Sequence, residues 1–231
     1  MKKIIIIFCV FAVISTGPVY GHKLISHDDK HTNFDSALHI PDHKISWAIY
    51  ENLGTNEAKF YSFDAKQGDL FYASIVIPKI DGLEEYSPTL VLLYDTTFEN
   101  SNASFESQLN TEKFLYEGEF PGTEFYEPFG QVTYWERQEV RTEIPLDGKY
   151  FIVVMDEKNQ KGKYSLAIGT IEDFSTGDFF TILPKAWIDT KLFVNDYFSI
   201  GILFFTLIAI PIIPTLIIFR KRSKRNVSTT D

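Results

Sequence analysis

Asp147-Gly148-Lys149-Tyr150-Phe151-Ile152-Val153-Val154-Met155 is followed shortly by Lys161-Gly162-Lys163-Tyr164-Ser165-Leu166-Ala167-Ile168-Gly169-Thr170. Each stretch is a turn dipeptide ending in Gly and then a β-branched, aromatic-rich run, which is how a strand entered from a tight turn reads. The pattern repeats toward the N-terminus. Ile45–Tyr50 and Lys59–Asp64 flank the turn Asn52-Leu53-Gly54, and Gln67-Gly68-Asp69 leads into Leu70–Ile77, which Pro78 stops. Pro88 opens Thr89-Leu90-Val91-Leu92-Leu93-Tyr94, apolar on both faces like a central sandwich strand, and Gln131–Ile144 supplies another strand. No segment before Asp173 carries a 3.6-residue apolar period. Many short strands at even spacing predict a mainly β fold, an antiparallel β-sandwich or jelly roll over residues 44–172.

Both ends of the chain concern the membrane. Ser199–Phe219 is free of charge and is followed at once by Arg220-Lys221-Arg222-Ser223-Lys224-Arg225. An apolar run of about 20 residues matches the hydrocarbon core of a bilayer, and cations directly after it mark the cytoplasmic side. At the other end, Met1-Lys2-Lys3, the apolar Ile4–Ile14 and the small-residue site Val19-Tyr20-Gly21 read as a secretory signal over residues 1–21. Together they predict a single-pass protein of the cell membrane, with residues 22–198 outside and the basic tail 220–231 inside. The only cysteine, Cys9, falls in the signal, so the exported domain has no disulfide and relies on its core. Residues 173–198 read as a helical, aromatic membrane-proximal segment. Ser175 and Asp178 have helix-start spacing, and Trp187, Phe193, Tyr197 and Phe198 suit either the outer headgroup level or a stalk helix packed on the sandwich. Pro211 and Pro214 are expected to kink or loosen the inner half of the span.

The strand motifs carry a resemblance. Phe60-Tyr61-Ser62-Phe63 with Gly68-Asp69, Pro88–Asp95, Gly148–Val154 and Gly162–Ile168 together resemble the bacterial and archaeal pre-peptidase C-terminal domain. That resemblance covers roughly residues 45–170. It implies a jelly-roll-like sandwich that acts as a non-catalytic binding or accessory module. The chain departs from the family in the long stretch Thr96–Gly130 and in carrying no protease.

Within that stretch, Tyr116–Gly130 alternates aromatics, carboxylates, Pro and Gly, which forbids a long helix or a central strand. Tyr116, Phe120, Phe125, Tyr126, Glu127 and Phe129 are its candidate binding residues. Aromatic faces there would stack on a glycan or grip a peptide or envelope-protein partner, and the carboxylates would accept hydroxyl hydrogen bonds or hold Ca²⁺. The competing reading folds these rings back to cap the sandwich. Asn102-Ala103-Ser104 is a glycosylation sequon on the exported side.

All five histidines, His22, His27, His31, His39 and His43, fall in the lead-in 22–43, interleaved with Asp28, Asp29, Asp35 and Asp42. Imidazoles and carboxylates are ligands for Zn²⁺ and Cu²⁺, and His22 would offer its α-amine beside its ring if the signal is cleaved after Gly21. The alternative is a polar, partly disordered approach to the first strand. Catalytic patterns are missing: there is no Gly-x-Ser-x-Gly elbow, HExxH or phosphate loop, and no carboxylate pair stands out among so many. The chain carries 31 Asp and Glu against 22 Lys and Arg, a net charge of −9, and five of those cations follow Phe219. So acidic an exterior argues against a nucleic-acid partner. The residues therefore describe a non-enzymatic, membrane-anchored binding module, with divalent-metal binding by the histidine-rich lead-in as the second reading.

Overall fold

The computed structural model describes residues 22–95, 109–173 and 178–227. The signal sequence assigned to residues 1–21, the sequon at Asn102 and the last residues of the tail lie outside the described residues. The chain divides into two units, Met1–Ala186 and Trp187–Asp231.

The first unit is a β-sandwich. Its strands are β1 (Lys23–Leu24), β2 (Leu38–His39), β3 (Trp47–Leu53), β4 (Ala58–Ala65), β5 (Leu70–Pro78), β6 (Thr89–Asp95), β7 (Leu109–Phe114), β8 (Glu124–Glu127), β9 (Val132–Glu143), β10 (Gly148–Met155) and β11 (Gly162–Ile168). One sheet runs β1-β3-β11-β5-β9-β8 and the other β2-β4-β10-β6-β7. Period-two alternation sends Ile49 and Leu53 of β3, Phe71, Ile75 and Ile77 of β5, and Leu166 and Ile168 of β11 inward. They meet Tyr61 and Phe63 of β4, Leu90 and Leu92 of β6, and Ile152 and Val154 of β10 in one core, nearly all of it fully buried. Phe63 stacks on Phe71 and on Tyr150, with ring centroids 5.2 and 5.4 Å away. At roughly 25 cal/mol per Å² of apolar burial, each buried ring of this size contributes about 2–3 kcal/mol of cohesion.

Three differences from the sequence reading bear on the site. The lead-in is an ordered part of the sandwich: β1 pairs parallel with β3, and β2 pairs parallel with β4. Between these two short strands the chain passes from one sheet to the other. There Phe34 covers the outer side of the second sheet, 5.0 Å from the Phe60 ring and 5.1 Å from Phe151. Its apolar residues are too irregularly spaced to show a period, yet Ile40 ends up wholly buried. The described part of the long stretch before Gly130 holds two strands, β7 and β8, each at a sheet edge where Pro and Gly nearby are tolerated. The register of β5 against β9 shifts between Ser74, opposite Glu139, and Val76, opposite Glu136. The extra residue in β9 leaves both Arg137 and Gln138 across from Ile75.

Among the described residues the helices are α1 (Asp178–Phe193) and α2 (Tyr197–Val227). The segment read as one helical stretch is thus interrupted, at Asn195, whose φ of 61° is the left-handed conformation that ends helices. Asp196 caps α2: its Oδ1 accepts the Ser199 N–H at 3.1 Å and its Oδ2 accepts the Ser199 hydroxyl at 2.6 Å. Lys191 adds an ion pair to Asp196 at 2.9 Å. Tyr197–Ile217 is long and apolar enough to cross a membrane, and none of it is buried within the protein. The helix continues through Pro211 and Pro214, and the Thr215 hydroxyl donates to the Pro211 carbonyl at 2.6 Å.

Candidate functional site

Two places in the sandwich gather side chains that the core does not need. The first is a cleft of about 320 Å³ on the outer face of the six-stranded sheet. The register explains it. Ala167 of β11 lies between Ala48 of β3 and Ser74 of β5, while Ser165 lies between Tyr50 and Val76. Small side chains on three neighbouring strands leave a floor that nothing fills. Tyr50, Tyr72 and Tyr134 stand around that floor with Phe125 from β8, which pairs with Tyr134 across the edge. Glu136 and Glu139 lie at the exposed rim. The volume falls at the lower end of the ~300–1,000 Å³ usual for ligand sites.

The second is a polar cluster inside one end of the sandwich. Glu51 lies on the inward face of β3, in register with Ile49 and Leu53, and is wholly buried. Its Oε1 accepts from His31 Nε2 at 2.6 Å and from the Tyr61 hydroxyl at 2.9 Å, and Tyr61 meets the Tyr164 hydroxyl at 2.8 Å. His27 Nε2 is 3.3 Å from the same oxygen and 3.1 Å from the Tyr50 carbonyl, and its Nδ1 is 3.2 Å from Asp29 Oδ1. Among the described residues, Glu51 Oε2 has no hydrogen-bond partner. One ligating atom each from His27, His31 and Glu51 lie within 4.8 Å of one another. Buried Lys59 balances charge beside them, donating to Glu57 Oε1 at 2.9 Å and to the Asp29 carbonyl at 3.2 Å. Burial pushes the Tyr61 and Tyr164 hydroxyls far above the ordinary tyrosine range, so both stay protonated as donors.

The fold separates the other residues singled out from sequence. Phe125 and Glu127 line the cleft, although both Glu127 oxygens are engaged by the Phe129 and Gly130 N–H groups at 2.7 and 2.6 Å. Tyr116 and Phe120 lie over the Arg137 guanidinium, with ring centroids 5.1 and 5.2 Å away. That cation donates to the backbone carbonyls of Glu84, Tyr86, Pro121 and Glu136. Gly122 sits beside it at φ 94°, where an added Cβ would lie 2.8 Å from the guanidinium. Tyr126 is largely exposed, and Phe129 belongs to the turn before β9. Among the histidines, His22 Nδ1 pairs with the Ser46 hydroxyl at 2.6 Å, away from the polar cluster. His39 is exposed on β2, and His43 is buried against the Phe63 ring.

At the level of sequence, no protein-family profile and no curated protein matches the chain. Solved structures similar to it include PliG of Aeromonas hydrophila, a periplasmic inhibitor of g-type lysozyme. That likeness has 12% identity and a TM-score of 0.35, covering 58% of this chain and 94% of that one. A second is the pre-peptidase C-terminal domain of the collagenase from Bacillus anthracis, with 14% identity, a TM-score of 0.30 and coverage of 56% and 91%. A third is the surface-associated copper-binding protein CorA of Methylomicrobium album, with 12% identity, a TM-score of 0.18 and coverage of 58% and 80%.

Sequence reasoning passed over Glu51, Tyr61 and Tyr164. Alternation in Trp47-Ala48-Ile49-Tyr50-Glu51-Asn52-Leu53 places the acid on the apolar face, and that signal was there to read. The cleft floor had no such signal. Alanine and serine at four separate positions form a floor only once the registers of β3, β11 and β5 are known.

Proposed function

We propose that this protein is a non-catalytic, membrane-anchored binding module on the outer side of the cell membrane. Its cleft takes a neutral or cationic glycan of the envelope. The observation that carries this reading is the floor of Ala48, Ser74, Ser165 and Ala167 between Tyr50, Tyr72, Tyr134 and Phe125. Small residues admit the edge of a flat ring, aromatic faces stack on its C–H surface, serine hydroxyls donate or accept hydrogen bonds, and rim carboxylates accept them. Carboxylates at the rim disfavour an anionic chain. The apolar helix supports anchorage, and the cations after Phe219 support a cytoplasmic tail.

The test is binding of the detergent-solubilised chain to a panel of purified envelope glycans. Phe125→Ala and Ala167→Trp, the second filling the floor, are expected each to weaken binding at least tenfold while the circular dichroism spectrum stays native. Retention by a peptide panel in place of the glycans would assign the cleft to protein partners, and unchanged glycan binding in both variants would place the site elsewhere. Protection of the tail and cleavage of the sandwich by protease added to intact cells would support the orientation.

A further inference from the structure

We infer that His27, His31 and Glu51 form a binding site for a divalent d-block cation of the Zn²⁺ class, separate from the cleft. The donor set selects the ion. Two imidazole nitrogens and one carboxylate oxygen suit Zn²⁺, or Cu²⁺ in a competing environment, whereas Ca²⁺ takes six to eight oxygens. The geometry is close to closing. Ligating atoms about 2.0–2.1 Å from a tetrahedral ion lie roughly 3.3–3.4 Å from each other. His27 Nε2 already lies 3.3 Å from Glu51 Oε1, and the His31–Glu51 pair at 2.6 Å has to open by only part of an ångström.

The surroundings resemble the outer shell of a built site. Tyr61, backed by Tyr164, holds Glu51 Oε1. Oε2 of the same carboxyl is buried and has no hydrogen-bond partner among the described residues, so the carboxyl can meet the ion through Oε1 and close on it with Oε2 as well. Asp29 meets His27 Nδ1 twice, its N–H donating at 3.3 Å and its Oδ1 lying 3.2 Å away, so the carboxylate is placed to accept from Nδ1 when the proton moves there and Nε2 binds metal. An unpaired carboxylate oxygen inside a sandwich is costly, and a cation satisfies it. Two ligands come from the lead-in and one from β3, so the ion would clasp the N-terminal segment onto the end of the sandwich. Only two of the five histidines take part. His22 and His39 lie elsewhere, and the buried His43 is held against Phe63 and Asp69.

The experiment uses the full chain in detergent, stripped with chelator and titrated with Zn²⁺ or Co²⁺ alone. The expected result is one equivalent bound, a Co²⁺ visible spectrum of four-coordinate type, and a thermal midpoint that rises with Zn²⁺ and falls back with chelator. Glu51→Gln and His27→Ala are each expected to cut affinity at least tenfold, and His22→Ala and His39→Ala to leave it unchanged. His27 lies near the surface of the cluster, so its variant keeps the test readable if Glu51→Gln does not fold. Absence of metal uptake by the wild-type chain, uptake unchanged in His27→Ala, or loss of uptake in His22→Ala or His39→Ala would each overturn the site.

Discussion

Tyr61 donates to Glu51 and also meets the hydroxyl of Tyr164, whereas Tyr164 touches Glu51 only through Tyr61. The two phenylalanine variants should therefore differ. Tyr61→Phe strips a donor from a buried carboxylate and orphans Tyr164, and is expected to lower unfolding free energy by about 2–3 kcal/mol. Tyr164→Phe removes a neutral hydrogen bond and should cost about 1 kcal/mol. Urea denaturation followed by tryptophan fluorescence measures both, and equal costs would deny the chain of hydrogen bonds. His43 gives a pH dependence of fixed sign. Burial lowers its pKa from 6.5, against the opposing pull of Asp69 and Asp42, with Lys44 adding to the lowering. The folded state thus binds its proton less readily than the unfolded state, so the contribution of His43 is whole above pH 6.5 and is lost as pH falls through the folded value. Stability of the wild type should drop between pH 7 and 5 more steeply than that of His43→Phe, measured by the same denaturation at each pH.

Among elements, the bulge in β9 and the turn segment before β8 act as one device. Arg137 leaves the ladder at the bulge and ties three backbone carbonyls, those of Glu84, Tyr86 and Pro121, from two neighbouring segments. Tyr116 and Phe120 shield the cation. Two of the six rings and acids read as binding candidates therefore have a structural duty, and Phe125 on the next strand is left to face the cleft. Replacing Arg137 by Met leaves those carbonyls unpaired and should cost about 3 kcal/mol. It should also open the segment around Glu117 and Glu119 to a glutamate-specific protease under native conditions. Persistence of the wild-type cleavage pattern would argue against Arg137 as the tie. Edge position explains why β7 and β8 escape a pattern-based reading: edge strands need only one partner, so polar and Gly- or Pro-flanked sequences suffice.

For the molecule as a whole, the proposed anchorage rests on the apolar helix Tyr197–Ile217. A lysine near the middle of a span costs about 2.5–3.5 kcal/mol for insertion, so Ile208→Lys with Ile212→Lys should move the protein from the carbonate-washed membrane to the soluble fraction. Retention of the double variant in the membrane would mean that something other than Tyr197–Ile217 holds it. Period-two alternation, turn dipeptides and the uninterrupted apolar run made the sandwich strands and the candidate span legible without coordinates, because each is a local pattern imposed by backbone geometry and by water or lipid. Neither candidate site is local in that sense. The cleft exists because β3, β11 and β5 pair in one register, with small residues abreast. The Glu51 cluster exists because the lead-in crosses from one sheet to the other and carries His27 and His31 over the open end of the core. Five histidines close together in the chain pointed to metal, and pairing between strands distant in the chain selected two of them and added an acid from β3.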